Sequence, residues 1–284
     1  MSAERGAFLH AAGLRTHVLK SGQGGAPALL LHGLGSLGQE ILAPLRDVSP
    51  GRFFVAPDRP GYGFSDPLPH NPGPIGQAHW LRALIDALRC GPPVIVAHSI
   101  AAGTALAFAA LYPDRLRGLV LIAPFCRPTR HAAMLGLRLA TMPVVGPLLQ
   151  RAVIPRIAPT LGERKLRQAF APAPVPRSLQ NFPFAHAARP GRPQAMAGEL
   201  LAFNRDMSLC RRTQPEVTPP VHVLCAPDDS VTDLQWHVSW LTAWCSDCVV
   251  HFLRGGHLIH HTEPHATLIA IRALEAQIAT SRAA

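Results

Sequence analysis

Six short apolar runs limit what this chain can fold into. They are Ala28–Leu31, Phe53–Ala56, Val94–Ala97, Leu119–Ala123, Val221–Cys225 and Val249–Leu253, each bounded by Gly, Pro or Asp. Near-continuous runs this short, rich in Val, Leu and Ile, suit strands buried on both faces, as in a parallel sheet. Helix-like stretches lie between them. His79–Leu88 places Leu81, Leu84, Ile85 and Leu88 on one face, Ala101–Leu111 is Ala-rich and stops before Pro113, and Thr267–Ile278 aligns Leu268, Ile271, Leu274 and Ile278. Strands alternating with helices predict a doubly wound α/β sheet. The beginning reads differently: Phe8–Ala11 and Thr16–Leu19 flank Gly13, which predicts an antiparallel hairpin at the sheet edge.

The alternation breaks between Cys126 and Pro215. That segment holds 12 prolines and several helical stretches but no strand-like run. The expected organisation is therefore a core formed by 1–125 and 216–284, with 126–215 inserted as a helical lid. Such a lid would lie over the carboxyl edge of the sheet, where open α/β sheets bind ligands. Within it, Ala132–Ile154 is strongly apolar but broken by Arg138, Pro143, Gly146, Pro147 and Arg151. A membrane span needs roughly 18 or more apolar residues in succession, so a greasy helix pair lining an acyl pocket is the expectation instead.

Charge is also unevenly placed. The chain carries +10 overall, yet 126–215 alone has 14 basic against 3 acidic side chains, and the remainder has 13 against 14. A basic lid would concentrate an anionic substrate or touch an anionic membrane surface. No helix-turn-helix, zinc-finger or RNA-platform signature accompanies the charge, so no nucleic-acid partner is expected. At 48% hydrophobic and 15% charged residues, the chain has material for a large core, which excludes whole-chain disorder. Met1–Gly13 lacks the apolar run of a signal peptide, so a cytoplasmic location is expected. The six cysteines make no disulfide framework, and Cys245 and Cys248 read as two reduced thiols near a strand start. No motif sets the oligomeric state.

The most informative stretch is Val94-Ile-Val-Ala-His-Ser-Ile-Ala-Ala102. A buried strand ends and an Ala-rich helix begins within a few residues, with Ser99 at the junction. A serine on so sharp a turn has its hydroxyl pushed out above the sheet, and the crowded turn requires small residues two before and two after it. Ala97 and Ala101 meet that requirement. The following helix aims its first N–H groups at the serine, which favours a developing oxyanion. The other reading of Ser99 is a plain N-cap.

Three further elements follow predicted strands. His32-Gly-Leu-Gly-Ser36 comes after Ala28–Leu31; its glycines, Gly33 included, let backbone approach a ligand, and Leu34 is a candidate oxyanion N–H donor. Asp228-Asp229 closes the run Val221–Cys225, either as a histidine-orienting carboxylate or as an Asx turn. Gly255-Gly256-His257 follows Val249–Leu253 and is expected on a mobile, exposed loop. His260, His261 and His265 are expected to be solvated at the approach to the last helix, and His98 to pack under the turn. The order Ser99, Asp229, His257 places a nucleophile, an acid and a base at the carboxyl edge of one sheet, in the chain order of one of the three known triad arrangements.

On these residues the chain resembles the α/β-hydrolase superfamily over essentially its full length. The matching stretches are Leu29-Leu-Leu-His-Gly-Leu-Gly35, Pro57-Asp-Arg-Pro-Gly-Tyr-Gly-Phe-Ser65, Val96-Ala-His-Ser-Ile-Ala101, Ala226-Pro-Asp-Asp-Ser-Val-Thr232 and Gly255-Gly-His-Leu258. It is similar to the lid-bearing branch of esterases, lipases and carbon–carbon-bond hydrolases. The resemblance implies a mostly parallel eight-stranded sheet flanked by helices, with a helical lid. It implies Ser99 as nucleophile, Asp229 as acid and His257 as base. Backbone N–H groups of Leu34 and Ile100 would form the oxyanion hole, supported by His32, Gly33 and His98. Ala97, Ala101 and Ala226 stand where the family often has glycine. Dehalogenases and epoxide hydrolases of this fold use Asp at the elbow, so Ser99 argues against both.

The expected chemistry is cleavage of a small-molecule carboxylic ester by two-step acyl transfer, with neither metal nor cofactor. Carbon–carbon bond hydrolysis by the same residues is the alternative within enzymes. A ligand-binding member that kept the scaffold is the alternative from another class.

Overall fold

In the computed structural model, residues 6–129, 142, 145–148, 151–152, 154–180, 189 and 191–283 are described. Eight strands form one sheet: β1 Ala7–Ala11, β2 Leu14–Ser21, β3 Ala28–Leu31, β4 Phe54–Pro57, β5 Val94–His98, β6 Gly118–Ile122, β7 Val221–Cys225 and β8 Cys248–Phe252. Their order across the sheet is β1-β2-β4-β3-β5-β6-β7-β8. The β1–β2 and β2–β4 pairings are antiparallel and the rest parallel. All six apolar runs thus became strands, with ends moved by at most one residue. The hairpin turns through Ala12 (φ 52°) and Gly13 (φ 75°), the two positive φ values that a two-residue turn matching the strand twist requires.

Pleating sends alternate residues of each apolar run to opposite faces. Leu29, Leu31, Ile95, Ala97, Leu119 and Leu121 pack with Trp80, Leu84 and Phe108, from helices α2 (Pro74–Leu88) and α3 (Ala101–Leu111). Leu30, Val94, Val96, Val120 and Ile122 pack with Ile41, Leu45, Ile271 and Leu274 on the other face. The last four residues belong to α1 (Gly38–Val48) and the C-terminal helix Pro264–Ala283. Burial at about 25 cal/mol per Å² makes this double-sided arrangement the main source of stability.

One strand departs from expectation. Val249–Leu253 reads as buried on both faces, but β8 lies at the sheet edge, and Val249 and Phe252 are 39% and 65% exposed. Among the described residues β8 is the last strand of the sheet, and apolar composition alone does not bury an edge strand. All six cysteines are free, and Cys248 opens β8 as expected.

Among the described residues, 126–215 contributes helices and no strand. The long ones are α4 (Ile154–Phe170) and α5 (Arg192–Thr213), and a shorter helix, α6 (Leu234–Thr242), follows β7. Most of the apolar stretch Ala132–Ile154 lies outside the described residues. Among the described residues no helix is long and apolar enough to cross a membrane.

Candidate active site

Ser99 occupies a left-handed conformation, φ 56°, which a non-glycine residue holds only when its surroundings enforce it. Three backbone hydrogen bonds do so. Its N–H donates to Ile122 O at 2.9 Å on neighbouring β6, and its carbonyl accepts from Ala102 and Phe125 N–H groups, both at 3.0 Å. Ala97 and Ala101, two residues to either side, are fully buried, which explains why the turn needs small side chains.

The hydroxyl of Ser99 lies 2.8 Å from His257 Nε2. On the other side of the ring, Nδ1 lies 2.8 Å from Asp229 Oδ2. A carboxylate facing Nδ1 fixes the tautomer: Nδ1–H donates to Asp229, leaving Nε2 free to accept from Ser99. Asp229 is itself held at four points. Oδ1 accepts from the N–H groups of Val231 (2.8 Å) and Thr232 (3.2 Å), and Oδ2 also accepts from the Thr232 hydroxyl (2.5 Å). Burial pushes the Asp229 carboxyl up, but the hydrogen bond and charge of His257 and the Thr232 hydroxyl outweigh it and bring its pKa down to about 2. Asp228 sits exposed in the adjoining turn, so of the two adjacent carboxylates only Asp229 reaches the histidine.

The His257 loop corrects one expectation. Gly255, Gly256 and His257 are buried rather than exposed. A Cβ on Gly256 would fall 2.3 Å from Ala171 O and 2.7 Å from Ala169 O, so this glycine is there because the loop runs tight against the end of α4. Leu258 N–H donates to Ala169 O at 3.2 Å and secures the same contact.

His98 packs beneath the turn as expected. Its Nε2–H donates to the His257 carbonyl at 3.1 Å, and its ring lies 4.8 Å from that of His257 and 4.6 Å from that of His260. Burial, with the neighbouring His260 and His257, holds its pKa well below the ordinary histidine range, so it is a neutral prop.

The expectation of solvated His260 and His261 fails. His260 is fully buried, and the Nε2 atoms of His260 and His261 meet Glu40 Oε1 at 2.6 and 2.8 Å. Glu40, on α1, is buried and needs donors, and the segment after His257 supplies them. Ser36 donates to its other oxygen at 2.9 Å. These three residues are the described group able to hold a metal ion, with ligand atoms within 4.8 Å of one another, and they already bond to each other.

The His32–Ser36 loop approaches Ser99 closely: a Cβ on Gly33 would lie 3.4 Å from Ser99 Cβ. Leu34 is 37% exposed, and Ile100, directly after the serine, is the N-cap of α3. The His32 ring bridges, its Nδ1 bonding Gly33 O at 2.9 Å and its Nε2 accepting from Arg59 N–H at 3.0 Å. Burial, aided by the Arg59 charge, lowers its pKa to about 4.

A buried cluster that sequence reasoning missed joins this loop to α5. Arg59 is fully buried and reaches Glu199 Oε1 at 2.5 Å and Gln77 Oε1 at 2.7 Å, while the Tyr62 hydroxyl donates to the other Glu199 oxygen. The sequence offers only a weak signal: Glu199 is one of three acids in a basic segment, and a charged side chain is rarely fully buried without a partner. Beside the acid end, a pocket of about 330 Å³ is lined by Phe125, Thr129, Val231, Thr232, Asp233, Trp236 and His237.

Residues 28–271 match the alpha/beta hydrolase family. The chain belongs to that family. The sheet order and the strand–turn–helix around Ser99 agree with it. A 2-hydroxymuconate semialdehyde hydrolase of Pseudomonas putida is 39% identical over 127 residues, 43% of this chain and 44% of that protein. The chain spans about half the length of the curated relatives it matches. Among solved structures, Cfl2 of Burkholderia cenocepacia aligns with a TM-score of 0.76 at 22% identity, covering 95% of this chain and 94% of that one. An esterase of Exiguobacterium antarcticum aligns at 0.75 and 16% identity, covering 95% and 99%. At such identities the likeness concerns the fold.

Proposed function

We propose that this protein is a serine hydrolase that cleaves a carboxylic ester of a small or medium apolar substrate by two-step acyl transfer. The observation that carries the reading is the unbroken hydrogen-bonded chain from Ser99 through His257 to Asp229, at 2.8 Å in both links. His257 takes the Ser99 proton as the hydroxyl attacks the ester carbonyl. Asp229 keeps Nδ1 protonated and stabilises the imidazolium that forms. The Leu34 and Ile100 N–H groups receive the oxyanion; each such donor is worth about 10²–10³ in turnover. His257 then protonates the leaving alcohol, and water, activated by the same ring, releases the acid.

The lid is part of the reading. We take the described helices α4 and α5 to belong to a lid over Ser99, and exposed arginines such as Arg156, Arg164 and Arg167 to meet an anionic substrate or an anionic membrane surface in the cytoplasm. Contacts of α4 with Gly256 and of Met196 on α5 with the Gly35 position support the placement.

A second reading is hydrolysis of a carbon–carbon bond, favoured by the 39% identical stretch shared with the 2-hydroxymuconate semialdehyde hydrolase. Steady-state kinetics on p-nitrophenyl esters and on a vinylogous diketone decide between them. The ester reading expects a larger kcat/KM for esters; a diketone preferred by tenfold or more overturns it.

A further inference from the structure

The carbonyl of Gly33 and the N–H of Leu34 belong to one peptide plane. A trans peptide points these two groups in opposite directions. Whatever fixes the Gly33 carbonyl therefore aims the Leu34 N–H. Three donors converge on that carbonyl: His32 Nδ1 at 2.9 Å, Arg59 Nη2 at 3.4 Å and the Ser36 N–H at 3.4 Å. Arg59 Nε also donates to the preceding carbonyl, His32 O, at 2.7 Å. One guanidinium thus grips two successive carbonyls of the loop, while its own main-chain N–H holds the His32 ring.

We propose that Arg59 and His32 are positioning residues that orient and polarise the Gly33–Leu34 peptide, with Glu199 holding Arg59 in place from α5. The inference rests on the reading of Ser99 as nucleophile and Leu34 N–H as oxyanion donor. Polarisation follows from charge. A cation at the carbonyl end of an amide draws electron density toward the oxygen, and a hydrogen bond there strengthens the donor at the other end. Arg59 is fully buried, its guanidinium stacks 4.7 Å over the Tyr62 ring, and Glu199 faces it at 2.5 Å. Glu199 thus gives the inserted segment a direct link to the geometry of the oxyanion site.

The test uses Arg59→Lys and His32→Phe in the full chain. Lysine keeps the charge but loses the fork that spans two carbonyls. Phenylalanine removes the 2.9 Å donor and keeps a ring against Tyr62, which lies 5.2 Å away. Active sites are first counted by stoichiometric labelling with a p-nitrophenyl phosphonate, so loss of folded protein is not read as loss of rate. The expected result per labelled site is a fall in kcat of about tenfold to a hundredfold in each variant, with KM within about twofold. A trifluoromethyl ketone, which becomes a tetrahedral oxyanion on the serine, should weaken by the same factor. If Arg59→Lys does not fold, His32→Phe carries the same expectation. Unchanged kcat per labelled site, or a raised KM with unchanged kcat, overturns the inference. Wild-type protein that neither takes the phosphonate nor turns over esters overturns the functional reading instead.

Discussion

Acid should destabilise this protein at a higher pH than carboxylate titration alone would, and His32 is one identifiable cause. Its ring is fully buried, with Nδ1 on the Gly33 carbonyl and Nε2 accepting from the Arg59 N–H. Protonation would place a hydrogen on Nε2 against that N–H and a charge beside the Arg59 guanidinium. The folded-state pKa is accordingly about 4, against 6.5 in the unfolded chain. Because the unfolded chain takes up the proton first, the stabilisation is complete above pH 6.5 and is lost as pH falls from 6.5 toward 4. At pH 5 the unfolded chain has gained about 1.5 pH units of protonation free energy, roughly 2 kcal/mol at 1.36 kcal/mol per unit. The assay is urea unfolding of wild type and His32→Gln at pH 7 and pH 5. Glutamine retains a donor for the Gly33 carbonyl but does not titrate. His98 and His260, whose pKa values burial also lowers, are present in both proteins and cancel. Wild type should lose about 2 kcal/mol more than the variant between the two pH values. Equal losses would refute the linkage and with it the assigned His32 contacts.

Two substitutions test the site's geometry. In Asp229→Asn, the amide oxygen keeps the Val231 and Thr232 N–H bonds, so the NH₂ group faces His257 Nδ1 and forces the wrong tautomer; kcat should fall about 10⁴-fold. Asp228→Asn, at an exposed turn, should stay within about twofold of wild type in the same assay. Gly256→Ala places a methyl group against two backbone carbonyls at 2.3 and 2.7 Å. It should lower unfolding free energy by about 1–3 kcal/mol in urea titration, with a larger fall in kcat than Asp228→Asn because His257 is the next residue.

Local signals were legible and distant pairings were not. The six apolar runs became β3 to β8 because continuous Val, Leu and Ile leave a strand few alternatives in an α/β chain. The small residues around Ser99 and the strand ends before Asp229 and His257 pointed to three side chains that the fold brings into one hydrogen-bonded chain. Helix α1 escaped notice because Gly38 opens it and Pro44 lies within it, both of which read as helix breakers, although Ile41, Leu42, Leu45 and Val48 share one face. The reason Glu40 is buried sits 220 and 221 residues away, in His260 and His261. Arg59 and Glu199 are likewise 140 residues apart. A charged residue whose partner is that remote looks solvated in one dimension, which is why His260 and His261 were expected at the surface. The Gly256 loop was expected exposed for a related reason: glycine pairs suggest mobility, whereas here the missing side chain admits the end of α4.

The central claim is that Ser99 is a nucleophile activated by His257. Its most direct measurement is intact-protein and peptide mass spectrometry after incubation with a p-nitrophenyl phosphonate, for wild type, Ser99→Ala and His257→Gln. The account predicts one adduct per chain on the Ser99 peptide in wild type, none in Ser99→Ala, and labelling slowed by at least a hundredfold in His257→Gln, in line with the roughly 10²–10⁴-fold that a general base contributes. An adduct on another residue, or undiminished labelling of Ser99 in His257→Gln, would contradict it.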